Sequence, residues 1–194
     1  MNLQSDMAAF FDRLAPDWDN APSERGAREK LVAMMGLPQR GVFADIGCGK
    51  GVMVDHLLEL DPLRIVAVDI SGEMIRLAKA LYDDPSVTFI NGDFYETALP
   101  VLDAAIFFNA YPHFINKLKL AEMLAGIVKK GGFVIIAHSF GKDKINGMHK
   151  GNAVSKFSVP LQSAETEAAA FGDFFTTGSF TDDSELFFLK LIRK

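Results

Sequence analysis

The sequence predicts an α/β fold, a three-layer sandwich in which helices cover both faces of a seven-stranded, mostly parallel sheet. Three observations carry this. Strand-sized apolar runs recur near residues 42–46, 64–71, 87–90, 102–109 and 133–138. Segments with apolar residues at helical spacing lie between them, and strands alternating with helices make a parallel sheet. After a last helix near 163–174, the runs 174–181 and 185–193 flank Asp182-Asp183, as in an antiparallel hairpin. Leu186 to Ile192 is apolar enough to be inserted within the sheet.

The first run, Val42 to Ile46, leads straight into a glycine-rich turn. Asp45 lies near its end, and Gly47, Gly49 and Gly51 alternate with Cys48 and Lys50. Glycine permits a tight turn and lets a ligand approach the backbone. Val52 to Leu60 reads as a helix, so the turn ends at a helix N-terminus, where free N–H groups favour an anionic group. Strand, glycine turn and helix open a nucleotide-binding unit. Val52 stands where the dinucleotide fingerprint G-x-G-x-x-G needs its last glycine.

Taken in order, the chain opens on Met7, Phe10, Phe11 and Leu14 at helical spacing, stopped by Pro16. Ser23 is placed to cap a helix from Glu24 to Met35, closed by Gly36 and Pro38. Asp61-Pro62 breaks the chain before the second strand. That strand ends at Asp69, 20 positions beyond Gly49, where a carboxylate accepts hydrogen bonds from ribose hydroxyls. Ser71 to Tyr82 reads as a helix with Met74 and Ile75 on its apolar face. The third strand runs into Asn91-Gly92-Asp93-Phe94. The fourth leads into Asn109 to Phe114, on the edge where open α/β sheets bind ligands. That loop carries Tyr111 and His113. A helix over 117–129 precedes Lys130-Gly131-Gly132, read as a sharp turn into the fifth strand.

Residues 139–160 read as a long polar connection, either a lid or a solvated linker. Asn146 and His149 would share a face of one helical turn. Lys142, Lys144 and Lys150 are candidates to attract an anionic substrate.

Composition narrows the function classes. A net charge of −5 with no dense Lys/Arg run disfavours nucleic acid. The longest apolar runs are too short to span a bilayer. The N-terminus, with Asp6 and Asp12, lacks the form of a signal peptide. A single cysteine excludes an internal disulfide. These features predict a cytoplasmic protein without a membrane partner.

The run Asp45-x-Gly47-x-Gly49-x-Gly51 resembles the first motif of the class I S-adenosylmethionine (SAM) dependent methyltransferases. So do Gly92-Asp93-Phe94 and the lead-in Lys130-x-Gly-Gly. The phrase Phe11-Asp12-x-x-Ala15-x-x-Trp18-Asp19 resembles the segment before the catalytic domain in many small members, which tends to lie over the cofactor mouth. The resemblance covers roughly residues 40–194 and implies a Rossmann-like sheet with SAM as cofactor. It implies that Asp45, Gly47, Cys48, Gly49 and Gly51 hold the methionine portion and Asp69 the ribose. Ile70 and Met74 would pack on the adenosine, Asp93 and Phe94 would bind the adenine, and Asn109 would complete the set. Trp18, Tyr111, His113, Asn146 and His149 are the substrate-side candidates, with His113 and His149 as candidate bases.

The expected division is a helical cap over 1–38, a SAM-binding core over 40–138, a substrate-side segment over 139–160 and a terminal part over 161–194. The expected function is methyl transfer from SAM to a small molecule. A non-catalytic SAM-binding protein and an NAD(P)-dependent oxidoreductase are the alternatives, the second opposed by Val52 and Asp93-Phe94.

Overall fold

The computed structural model describes residues 3–18 and 25–194. The expected cap at Ser23 and start at Glu24 lie outside the described residues. Seven strands form one sheet in the order β3-β2-β1-β4-β5-β7-β6. They are β1 (Val42–Ile46), β2 (Arg64–Asp69), β3 (Val87–Asn91), β4 (Leu102–Phe108), β5 (Val128–His138), β6 (Phe175–Asp182) and β7 (Phe187–Arg193). The first five are parallel to one another. β7 runs antiparallel between β5 and β6, so the predicted insertion of the last strand holds.

Period-two alternation divides the core between the two faces of the sheet. On β4, Ala105 and Phe107 join one buried cluster, with Leu120 and Leu124 of α5 (Lys117–Ile127). Ala104, Ile106 and Phe108 join the other, with Leu31 and Met35 of α2 (Arg25–Met35) and Leu57 of α3 (Val54–Leu58). A third cluster sets Ile75 and Ala78 of α4 (Gly72–Leu81) on Ala67 and Phe89. Helices on both faces explain why the central strands read as continuous apolar runs.

Several elements depart from the sequence reading. α3 is shorter than the expected 52–60, because turns occupy both ends. Gly131 and Gly132 lie inside β5, where pairing with β4 shifts register between Leu102 and Ala104. A Cβ on Gly132 would come within 2.8 Å of the Asp103 carbonyl oxygen, so close backbone approach demands the glycine. The last helix, α7 (Ala164–Ala169), stops early and gives way to turns. Residues 139–160 are mostly ordered structure: α6 (Lys142–His149) and a 3₁₀ turn, Ala153–Phe157. The apolar signal of α6 is weak because Ile145 alone is buried in it. The first helix, α1 (Leu3–Leu14), has no fully buried residue and packs on α4 and on that 3₁₀ turn. No helix among the described residues is long and apolar enough to cross a membrane.

Candidate active site

A cavity opens at the C-terminal ends of the parallel strands, beside the point where strand order reverses at β1. The glycine turn forms its floor. Gly47 and Cys48 both donate their N–H groups to the Val68 carbonyl, at 2.8 and 3.1 Å, which folds the turn over the end of β2. Gly47 has φ +74°, and a Cβ there would lie 2.6 Å from that of Ala110. Glycine is therefore required twice, by backbone conformation and by the neighbouring loop.

Asp69 ties the turn to α4. Its two carboxylate oxygens accept the N–H groups of Gly49 at 2.8 Å and Ser71 at 2.9 Å. Each oxygen keeps a lone pair for a further donor. Burial raises the Asp69 pKa, and the two N–H bonds oppose that rise.

Asp45 differs. It is only 1% exposed, and its Oδ2 has no hydrogen-bond partner within the protein. Burial, then the charge of Asp69, pushes its pKa up to about 7. A buried carboxylate with an open acceptor on a cavity wall is suited to a cationic or donating ligand group. The Cys48 thiol is raised well above its ordinary pKa, first by burial and then by both carboxylates. It is unfit as a nucleophile.

Ile70, Met74, Asp93 and Phe94 line the same cavity. Asp93 caps a short 3₁₀ turn by accepting the Tyr95 N–H at 2.9 Å. Asn109 adopts φ +53°, unusual for a residue with a side chain. Its amide clamps Ser139, accepting the backbone N–H at 3.0 Å and donating to Oγ at 3.2 Å.

His113 and Trp18 also line the cavity, and α1 adds Met7 and Phe11. His113 Nδ1 lies 3.0 Å from the Phe157 carbonyl. A carbonyl only accepts, so Nδ1 carries the hydrogen and Nε2 holds a lone pair. Burial pushes this imidazole down to about 4, so it is neutral at pH 7. The His149 ring centroid is 5.4 Å away, but His149 is not part of the wall.

Three further expected site residues, besides His149, stand elsewhere. Tyr111 is fully buried, and its hydroxyl donates to Glu167 at 2.6 Å, so packing holds it away from the cavity wall. Asn146 pins residue Leu161, donating to its carbonyl at 2.9 Å and accepting its N–H at 2.8 Å. Gly51 packs against Tyr82, whose ring leaves no room for a Cβ. Lys142, Lys144 and Lys150 are likewise absent from the wall.

Sequence reasoning missed Arg28, Tyr95 and Phe114, which also line the cavity. Phe114 and Tyr95 close two strand-end loops and were legible as aromatics there. Arg28 gave no signal, because a cation on an amphipathic helix usually marks the solvated face.

The donor set fits SAM. The open acceptor of Asp45, the Cβ-free wall at Gly47 and Gly49, and the carboxylate of Asp69 match a molecule with cationic and hydroxyl groups.

Comparison with known proteins agrees. Residues 44–136 match the family model described as a methyltransferase domain. The chain is 27% identical over 142 residues to a malonyl-(acyl-carrier protein) O-methyltransferase of Marinomonas sp. (strain MWYL1). The match covers 71% of this chain and 53% of that relative, about half its length. A SAM dependent methyltransferase from Aquifex aeolicus has the same fold, with TM-score 0.73, 18% identity, and coverage of 96% of this chain and 98% of that one. Magnesium protoporphyrin IX methyltransferase from Synechocystis PCC 6803, solved with bound SAM, gives TM-score 0.69 at 17% identity and covers 100% of this chain and 98% of its own. With the glycine turn, the strand-end carboxylates and the inserted antiparallel strand all in one fold, residues 44–136 match a methyltransferase domain and the chain has the fold of the class I SAM-dependent methyltransferases.

Proposed function

We propose that this protein transfers the methyl group of SAM to a small-molecule acceptor in the cytoplasm. The observation that carries the proposal is the pair of acids at the glycine turn. Asp69 is braced by two backbone N–H groups, and Asp45 lines the same cavity with its Oδ2 buried and without a hydrogen-bond partner. A buried carboxylate without a donor is costly to keep, and a cationic ligand group removes that cost.

When bound, SAM supplies a methyl group already activated on a cationic sulfur. The protein's work is then alignment and exclusion of water. Asp69 would hold the ribose hydroxyls, Asp93 the adenine edge, and Asp45 the methionine portion. Ile70, Met74 and Phe94 would pack against the adenosine. His113 would accept a hydrogen bond, and then a proton, from the acceptor at Nε2. His149 acts only through its packing on His113 in this reading. The small-molecule acceptor and the cytoplasmic setting rest on the acidic charge balance and on Cys48, a lone buried thiol.

Thermal unfolding with SAM, S-adenosylhomocysteine and NADH tests the proposal, repeated on Asp69→Ala. A ligand at 100 times its Kd stabilises by about 2.7 kcal/mol. SAM or its product should shift the wild type, and Asp69→Ala should fold but lose the shift. A shift with NADH alone would sink the proposal. Binding of SAM without turnover on any acceptor would point to a non-catalytic SAM-binding protein.

A further inference from the structure

The cavity has two chemically different ends. Its charged wall comes from the strand ends, the glycine turn and α2: Asp45, Lys50, Asp69, Asp93 and Arg28. Its other wall comes from α1, the residue Trp18 after it, and the loop after β4. Among the described residues, those segments contribute no charged side chain to the cavity. They contribute rings instead. Phe11 meets His113 edge to face, with centroids 5.2 Å apart at 79°. Trp18 meets Phe11 at 6.0 Å and 74°. Perpendicular rings form a corner that a flat third ring can enter, stacking on one wall and meeting another edge on.

Polar groups at this corner include the Gln4 amide, the Trp18 indole N–H, which only donates, and the imidazole of His113. Its Nδ1 hydrogen is committed to the Phe157 carbonyl at 3.0 Å. Only a lone pair remains, which attracts a donor and repels a carboxylate or phosphate. The nearby cation is spent: Lys117 Nζ donates to the Tyr111 carbonyl at 2.9 Å and lies 3.3 Å from the Tyr111 ring centroid.

We propose that the methyl acceptor is an uncharged planar aromatic molecule bearing an O–H or N–H donor, held in the corner of Phe11, Trp18 and His113 with its donor on His113 Nε2. This rests on the methyltransferase reading, since the charged end must be the cofactor's for the aromatic end to be the acceptor's.

Ligand-observed saturation-transfer NMR tests it, with S-adenosylhomocysteine present and four probes of one skeleton. These are 2-naphthol, naphthalene, decahydro-2-naphthol and 2-naphthoate. The expected order places 2-naphthol first, roughly three- to tenfold tighter than its saturated counterpart, with 2-naphthoate weakest. Phe11→Leu should bring 2-naphthol down to the level of the saturated compound. His113→Phe should bring it down to the level of naphthalene. Both variants should keep the melting shift with S-adenosylhomocysteine, which separates loss of the corner from loss of the fold. Equal binding of flat and saturated probes, tightest binding of 2-naphthoate, or no transfer to 2-naphthol overturns the proposal. Loss of the S-adenosylhomocysteine shift in the wild type, with naphthol binding kept, strikes the cofactor assignment instead.

Discussion

Asp12 of α1 accepts the Ser71 hydroxyl hydrogen at 2.6 Å, across 59 residues of sequence. The same carboxylate oxygen accepts the Glu73 N–H at 3.0 Å, while Ser71 Oγ accepts the Met74 N–H at 3.1 Å. Ser71 N–H in turn donates to Asp69, and Asp69 accepts from Gly49. One chain of hydrogen bonds therefore joins α1 to the N-terminus of α4, to the strand-end acid and to the glycine turn. It is a polar tie for a helix that has no fully buried residue.

Asp12→Ala should cost about 1–2 kcal/mol, the usual loss for a helix-capping acceptor. It should also weaken binding of S-adenosylhomocysteine, because Ser71 then loses the partner that orients it toward Asp69. Asp12→Asn keeps an acceptor oxygen and should restore most of both. Urea denaturation and calorimetric titration of the three proteins check this, and an Asp12→Ala chain with unchanged affinity would show that α1 is tied down by packing alone.

Asp45 should make stability depend on pH in a direction opposite to ordinary acids. Its folded pKa of about 7 lies above the unfolded value of 3.8. Between those values the folded chain keeps a proton that the unfolded chain has lost, so Asp45's contribution falls as pH rises from about 4 to 7. His113 and His138 are pushed down from 6.5 to about 4 and about 3, so their contributions are lost as pH falls below about 6.5. The difference between wild type and Asp45→Asn isolates the carboxylate. Relative to Asp45→Asn, the wild type should lose stability as pH rises through this window. SAM affinity should rise with pH in the wild type and stay flat in the variant.

Tyr111 and Glu167 form a buried pair, with the second Glu167 oxygen accepting the Gln162 N–H at 2.9 Å. Tyr111→Phe leaves that carboxylate short of a donor inside the core. It should lower stability by about 1–3 kcal/mol, while the melting shift with S-adenosylhomocysteine stays as in the wild type. A variant that folds normally but fails to bind would return Tyr111 to the site.

Gly47→Ala should damage the cofactor end from both causes at once, the positive φ and the 2.6 Å approach to Ala110. The expected outcome is a loss of about 1–3 kcal/mol in stability together with loss of the ligand-induced shift. Gly147, with open space where a Cβ would point and no positive φ, is the control. Gly147→Ala lies within α6 and should stabilise by up to about 1 kcal/mol.

The sequence alone determined the sheet and its cofactor-facing edge. Period-two and helical spacing are local, and glycine, capping serine and strand-end acid are tied to backbone conformations a few residues long. The helix starting at Ser71 was legible, and Ser71 caps it by accepting the Met74 N–H; the hairpin was legible from Asp182-Asp183. Tertiary structure decided what each polar or aromatic side chain faces. Tyr111 and His113 sit two positions apart in one loop, yet one is sealed in the core against α7 and the other lines the cavity. Asn146 looked like a ligand group and instead pins the backbone of Leu161, 15 residues further on. Arg28 and Phe11 reach the cavity only because α2 and α1 pack where they do. Such contacts join residues tens of positions apart, so their partners are set by the packing of whole elements, which no local pattern records.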